Sequence, residues 1–176
     1  MRLRIFEARY VDMIGRCMRE STAFGVALIV NGREVGPAKT VSVGTTARIH
    51  DFEQLRDGLL GISARGEQRF RIRSVTVQSD GLYVAEAELL SEDEPIMVPT
   101  DLASMSAIMG DLYPQVAALY DGAAPELENA SWLSARFAEW LPLDLATRQL
   151  CLEMNDPIER LRYLSARMDP SAHESE

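Results

Sequence analysis

The segment GREVGPAKT, residues 32–40, is the chain's nearest approach to a phosphate-binding loop. A G-x-x-x-x-G-K-[ST] loop cradles phosphate with successive backbone N–H groups and a lysine. Here Ala38 stands where the glycine before the lysine should be, and Pro37 removes one N–H donor, so the segment reads as a connection between strands. Lys39 is the sole lysine among 18 basic residues, so a Ser-Lys dyad or a Schiff-base amine would have to use it, in a loop that supports neither. His50 and Asp51 could start a Ser-His-Asp triad, but neighbours in a strand project to opposite faces, and no G-x-S-x-G elbow accompanies them. Cys17 and Cys151 lack C-x-x-C spacing and fall at apolar phases of helical segments, which marks them as buried thiols. His50 and His173 are remote from both, so no four-ligand metal set can be composed. The residues predict no catalytic group and no cofactor.

Glu86 and Glu88 would suit paired acid and base work if they stood alone. Asp80-Gly81 decides otherwise, because it predicts a two-residue hairpin turn. Closing the hairpin there sets Ile72 opposite Leu89, Arg73 opposite Glu88 and Ser74 opposite Ala87. Phe70, Ile72, Ser74 and Thr76 then share a core face with Tyr83, Ala85, Ala87 and Leu89. Arg69, Arg71 and Arg73 share the other face with Glu86 and Glu88. That register makes the two glutamates partners in a charge ladder. The three arginines form the alternative candidate site, a stripe for RNA or another anion. The chain's net charge of −9 weighs against nucleic acid. The charge is also uneven: residues 1–95 hold 13 Arg and Lys against 14 Asp and Glu, and residues 96–176 hold 5 against 13.

The elements that must carry these residues are readable in outline. Phe6, Tyr10, Met13, Ile14, Cys17 and Met18 lie on one face of a helix over 6–19. Short glycine-bounded strands follow at 24–30 and 41–49, then the hairpin within 59–90. SEDEPIMVPT, residues 91–100, is an acidic connector, after which every segment reads helical. Thr100 is the expected cap of a long helix that Pro114 should kink. A helix carrying Trp132, Leu133, Phe137 and Trp140 comes next, then one capped by Asp144. The last has Asp156 at the cap, Pro157 at the first helical position and Glu159 completing the box. The predicted organisation is α+β: a β-rich unit over 1–95 with one early helix, a helical bundle over 96–170, and a disordered tail over 171–176. No run approaches the roughly 20 apolar residues of a membrane helix, and no secretory signal is evident, so a cytoplasmic setting is expected.

Taken in order, LRIFEARYVDMI, FGVALI, GTTARI, DGLLGISARGEQRFRI and DGLYVAEAELL closely resemble the N-terminal substrate-recognition domain of Lon proteases. The likeness is strong over residues 3–90 and looser over the helical remainder, which includes LPLDLATRQLCLEMNDPIERLRYL. It implies a bacterial protein with a PUA-like pseudobarrel and a helical bundle, which holds unfolded polypeptide without cutting it and works beside a separate ATPase or protease. Members of that family typically begin with a further strand of the LPLFPL type before the L-R-I-F segment. Its absence here implies either a start codon placed too late or an open barrel edge through which two copies pair. For the polypeptide-binding surface, the apolar candidates are Met97, Met105, Met109 and Trp132, placed where the two halves join, because flexible thioethers suit adaptable binding surfaces.

Overall fold

A computed structural model of the chain describes residues 1–31, 39–120 and 122–168. It divides into two compact units, Met1–Glu92 and Asp93–Glu176. The first contains β1 (Arg2–Ile5), α1 (Ala8–Glu20), β2 (Phe24–Val26), β3 (Ile29–Asn31), β4 (Lys39–Thr40), β5 (Val43–Gln54), β6 (Leu60–Val77) and β7 (Tyr83–Leu89). The spine is β6. Its Leu60–Ser63 stretch pairs with both β5 and β1, and Phe70 and Arg71 pair with both β5 and β7. Hence β1 and β7 occupy the same edge of β6, at opposite ends. β2 adds to the far edge of β5, and β3 with β4 makes a separate two-stranded ladder. All pairs are antiparallel. Residues 32–38 and the tail from 169, with the expectations placed on them, lie outside the described residues.

α1 forms because its apolar residues recur at three- and four-residue steps, which lays Ile14 and Cys17 against the sheet. Ile14 is fully buried, and with Ile5, Cys17, Phe24, Ala47, Ile62 and Ala64 it makes the core of this unit. The helix stops where Ser21 turns into the left-handed region (φ 54°, ψ 36°) and Thr22 donates its N–H back to the Cys17 carbonyl at 2.9 Å. That is a terminus glycine usually fills.

The hairpin differs from the sequence expectation in two ways. Gln78 donates to the Leu82 carbonyl, Gly81 donates to the Gln78 carbonyl, and only Gly81 of the loop has positive φ, at 85°. The connection is therefore a three-residue loop with a glycine bulge. A further register shift falls between Ile72 and Ser74, so Ile72 stands opposite Ala87 but Ser74 stands opposite Glu86. Beyond this bulge at Arg73 the two faces exchange parity. Val75 and Val77, paired with Ala85 and Tyr83, take the apolar face in place of Ser74 and Thr76.

The second unit holds α2 (Ala103–Leu112), α3 (Ala130–Trp140), α4 (Leu145–Glu153) and α5 (Pro157–Met168). α2 is preceded by a 3₁₀ turn that already includes Thr100 (Thr100–Leu102), so the cap position falls on Leu102, without a side-chain cap, and not on Thr100 as expected. It ends at Leu112 instead of running on with a kink. Pro114 has no N–H to continue the ladder, and the chain tightens into a 3₁₀ turn over Tyr113–Gln115. Both later caps form as predicted. The Asp144 carboxylate accepts from the Thr147 N–H at 2.7 Å, and that of Asp156 accepts from Ile158 at 2.8 Å and Glu159 at 3.2 Å. Met105, Met109, Leu133, Phe137, Cys151, Leu161 and Leu164 are the heart of this unit's core.

Candidate functional site

Because the bulge returns Val75 and Val77 to the apolar side, the β6–β7 hairpin presents an unbroken apolar face: Phe70, Ile72, Val75 and Val77 beside Tyr83, Ala85, Ala87 and Leu89. Much of it is not covered. Val75 is 42% exposed, and Val77 and Leu89 are each 58% exposed. Tyr10 and Met13 of α1, with Phe24 and Gly25 of β2, face it across an open groove of about 360 Å³. That volume falls within the range of about 300–1,000 Å³ typical of ligand sites.

Small residues make the groove. Ala85 and Ala87 leave space on β7 where larger side chains would close it, and Phe70 lies flat on the floor because Gly25 and Gly44 admit its ring. A Cβ built on Gly44 would stand 2.6 Å from the Phe70 ring and 2.5 Å from the Val26 carbonyl oxygen. One end is fixed by Arg9, itself only 7% exposed. Its guanidinium donates to the Gly81 carbonyl at 2.5 Å, pairs with Glu7 at 2.8 Å and lies 4.6 Å from the Tyr10 ring centroid. The start of α1 is thereby tied to the tip of the hairpin.

The opposite face of the hairpin is a strip of mixed charge. Arg73 is ion-paired with Glu88, Arg71 stands opposite the same glutamate, and the Ser74 hydroxyl donates to Glu86 at 3.2 Å. Arg69 and Arg71 are half-buried. This arrangement gives the RNA alternative no continuous basic surface.

The four apolar candidates separate. Met105 and Met109, 2% and 0% exposed, lie inside the helical core and present nothing to a ligand, which corrects their assignment to a binding surface. A core stripe and a surface stripe have the same helical period, so spacing alone does not divide them. Met97 is 68% exposed, its backbone bridged to Asn129. Trp132 is half-buried against Tyr113, with ring centroids 5.6 Å apart. Around them Tyr120 and Trp140 complete an aromatic cluster in which the Trp140 indole donates to the Tyr120 oxygen at 2.6 Å and the Tyr120 hydroxyl donates to Glu139 at 2.7 Å. Burial first, and then the Glu139 bond, push the Tyr120 hydroxyl above its usual range. Its polar atoms are spent on one another.

His50 is exposed, and the Asp51 carboxylate accepts from the Phe52 N–H. Cys17 and Cys151 are buried, free thiols, one in each unit's core. Among the described residues no three His, Cys, Asp or Glu side chains gather as a metal set, and no helix is long and apolar enough to cross a membrane. The groove was missed in the sequence because it depends on the bulge. A signal existed: in the unbulged register Val75 and Val77 fall on the charged face, an inconsistency that one inserted residue removes.

An antiparallel β unit with an open apolar groove, followed by a helical unit, has the features of a binding domain. A family model, the ATP-dependent protease La (LON) substrate-binding domain, matches residues 1–169, and the chain belongs to that family. Among solved structures, the Lon N-terminal domain protein from Xanthomonas campestris is similar over 96% of this chain and 89% of its own, at 31% identity and a TM-score of 0.80. The N-terminal domain of the Mycobacterium avium complex Lon protease shares the fold at 19% identity, with a TM-score of 0.64 over 93% of this chain and 86% of its own. The Lon protease of Erwinia amylovora is 28% identical over 144 residues, which are 77% of this chain and 18% of that protein. The chain thus spans under a fifth of the length of that curated relative.

Proposed function

We infer that this chain is a non-catalytic, cytoplasmic polypeptide-holding module, and that it takes up exposed apolar segments of unfolded proteins in the groove beside β7. The observation that carries this reading is the groove itself: an apolar trough about 360 Å³ in volume, where water reaches Val75, Ala85, Ala87 and Leu89 and, in part, Tyr10 and Tyr83. Contiguous exposed apolar surface of this kind marks interaction sites. The family supplies the ligand class, since its description names substrate binding. In the helical unit, the exposed Met97 is a separate candidate contact for polypeptide. A separate ATPase or protease would receive what the module holds.

Fluorescence anisotropy of a labelled, reduced and carboxymethylated α-lactalbumin, titrated with this protein at low and moderate salt, tests the reading. Saturable binding that survives moderate salt is expected, because apolar contacts are not screened as charge contacts are. Val75→Asp should weaken it. Binding lost with added salt, or no saturable binding, would overturn the assignment.

A further inference from the structure

We propose that the groove takes its polypeptide as an added β-strand, hydrogen-bonded along the outer edge of β7, and that it selects extended segments in which apolar residues alternate with basic ones. This deepens the polypeptide-holding reading and rests on it.

The argument begins with which way the backbone of β7 points. Leu90 donates its N–H to the Arg69 carbonyl of β6, and Gln78 donates to the carbonyl of Leu82. Backbone groups along a strand alternate sides. The even-numbered residues of this hairpin arm therefore address β6, and Ala85, Ala87 and Leu89 direct their N–H and C=O groups away from it. Among the described residues no strand pairs with that outer edge. The residues whose backbones face outward are also those whose side chains line the groove. A strand laid along this edge would satisfy the outward groups and drop every second side chain into the apolar trough beside Ala85 and Ala87. Strand addition of this kind takes affinity from the main chain and specificity from alternate pockets.

Charge selects the occupant. The intervening side chains of an added strand would lie on the other face, next to Glu86 and Glu88. Arg73 already pairs with Glu88, whereas the partner of Glu86 among the described residues is the neutral Ser74 hydroxyl, which leaves its charge for a basic side chain. Opposite charges across strands stabilise a pair, and like charges directly opposite destabilise it. The same rule disfavours a second copy of this chain, since two β7 strands paired about a two-fold axis would bring two Glu86 and Glu88 rows together. The edge is also unusually permissive for an experiment. The Ala85 N–H points outward, so proline there removes a docking bond without removing a bond to β6.

The test uses the whole chain and a fluorescein-labelled peptide of about nine residues alternating valine with arginine, long enough to span β7 at ~3.4 Å per residue. A second peptide has the same composition with its valines contiguous. The alternating peptide should bind saturably and at least about tenfold more tightly than its rearranged partner. Ala85→Pro should weaken it by a similar factor, and Ala87→Glu, which places a charge in the trough but leaves the backbone intact, should do the same should proline disturb the fold. Equal binding of the two peptides, or full binding by both variants, would overturn strand addition. Unfolded α-lactalbumin still bound in that case would leave the holding reading standing, whereas its failure to bind would remove both. Concentration-dependent self-association abolished by Ala85→Pro, without peptide binding, would assign the edge to a second copy and overturn the proposal.

Discussion

Replacing Arg160 with methionine should unfold the helical unit at markedly lower denaturant. Arg160 is 5% exposed and makes three contacts: its Nε donates to the buried Ser134 hydroxyl at 2.9 Å, one terminal nitrogen to the Met154 carbonyl at 3.1 Å, and the other to Asp93 at 2.7 Å. Methionine fills much of the space but restores none of these bonds. Removing one member of a buried ion pair costs about 3–5 kcal/mol. Asp93 keeps 17% of its side-chain surface in water, which relieves part of the desolvation and places the expected loss near the lower figure, about 3 kcal/mol. Asp93→Asn keeps an acceptor for the guanidinium and should cost less, about 1 kcal/mol. Both tryptophans, Trp132 and Trp140, lie in α3, so urea unfolding followed by their fluorescence reads this unit directly. At a slope of about 1–3 kcal/mol per molar urea, the midpoint of Arg160→Met should fall by roughly 1–3 M. The double variant Arg160→Met/Asp93→Leu should recover part of that loss, because no charge is then stranded. A double variant as unstable as the sum of the two singles would refute the reasoning and reduce Arg160 to a space-filling residue.

Other outcomes follow from single features. Gly44→Ala puts a Cβ within 2.6 Å of the Phe70 ring and should cost about 1–3 kcal/mol through overpacking, seen as a lowered thermal midpoint and a disturbed groove floor. Ser21→Gly relieves the left-handed backbone at the end of α1 and should raise stability by about 1 kcal/mol in urea titrations followed by far-ultraviolet circular dichroism. The backbone and side-chain bonds from Thr147 hold the Asp144 carboxyl below its ordinary range. Its contribution to stability is thus present above the ordinary aspartate value and is lost as pH falls through its own lower one. A carboxyl titration by NMR should place that midpoint low, and Asp144→Ala should abolish this part of the acid limb. Burial pushes the Cys151 thiol up, against the opposing pull of Arg160 and Arg167, so alkylation by iodoacetamide at neutral pH should be slow until urea opens the helical unit.

Helix boundaries marked by chemistry were legible from the sequence. Asp144 and Asp156 cap the next turn with their own carboxylates and Pro157 takes the first helical position, so their roles need no knowledge of the rest of the fold. Asp80-Gly81 was legible as a turn but not as a turn type: one glycine with positive φ suffices for a three-residue loop, and composition does not count loop residues. Arg73 itself did not mark the bulge, since an arginine on an exposed strand face is ordinary, and only the two valines left on the charged face by the unbulged register hinted at it. Without it the apolar face was assigned to Ser74 and Thr76, and the groove could not be drawn. Met105 and Met109 failed for another reason. Burial on a helix depends on which neighbours cover a face, and that information is not local.

The bulge also makes the polarity of the groove wall a matter of reading frame along the strand. One residue added to β7 between Glu86 and Ala87 would give Arg73 a partner and straighten the ladder, with Ser74 and Thr76 on the groove side, Val75 and Val77 on the charged strip and no wall residue substituted. Deleting Arg73 would straighten the ladder too, but would leave the valines where they are. One codon gained in β7 would thus change the wall from aliphatic to polar. Related chains could diverge in what they hold through such length changes in β7, and a comparison that scored only substitutions would not see it.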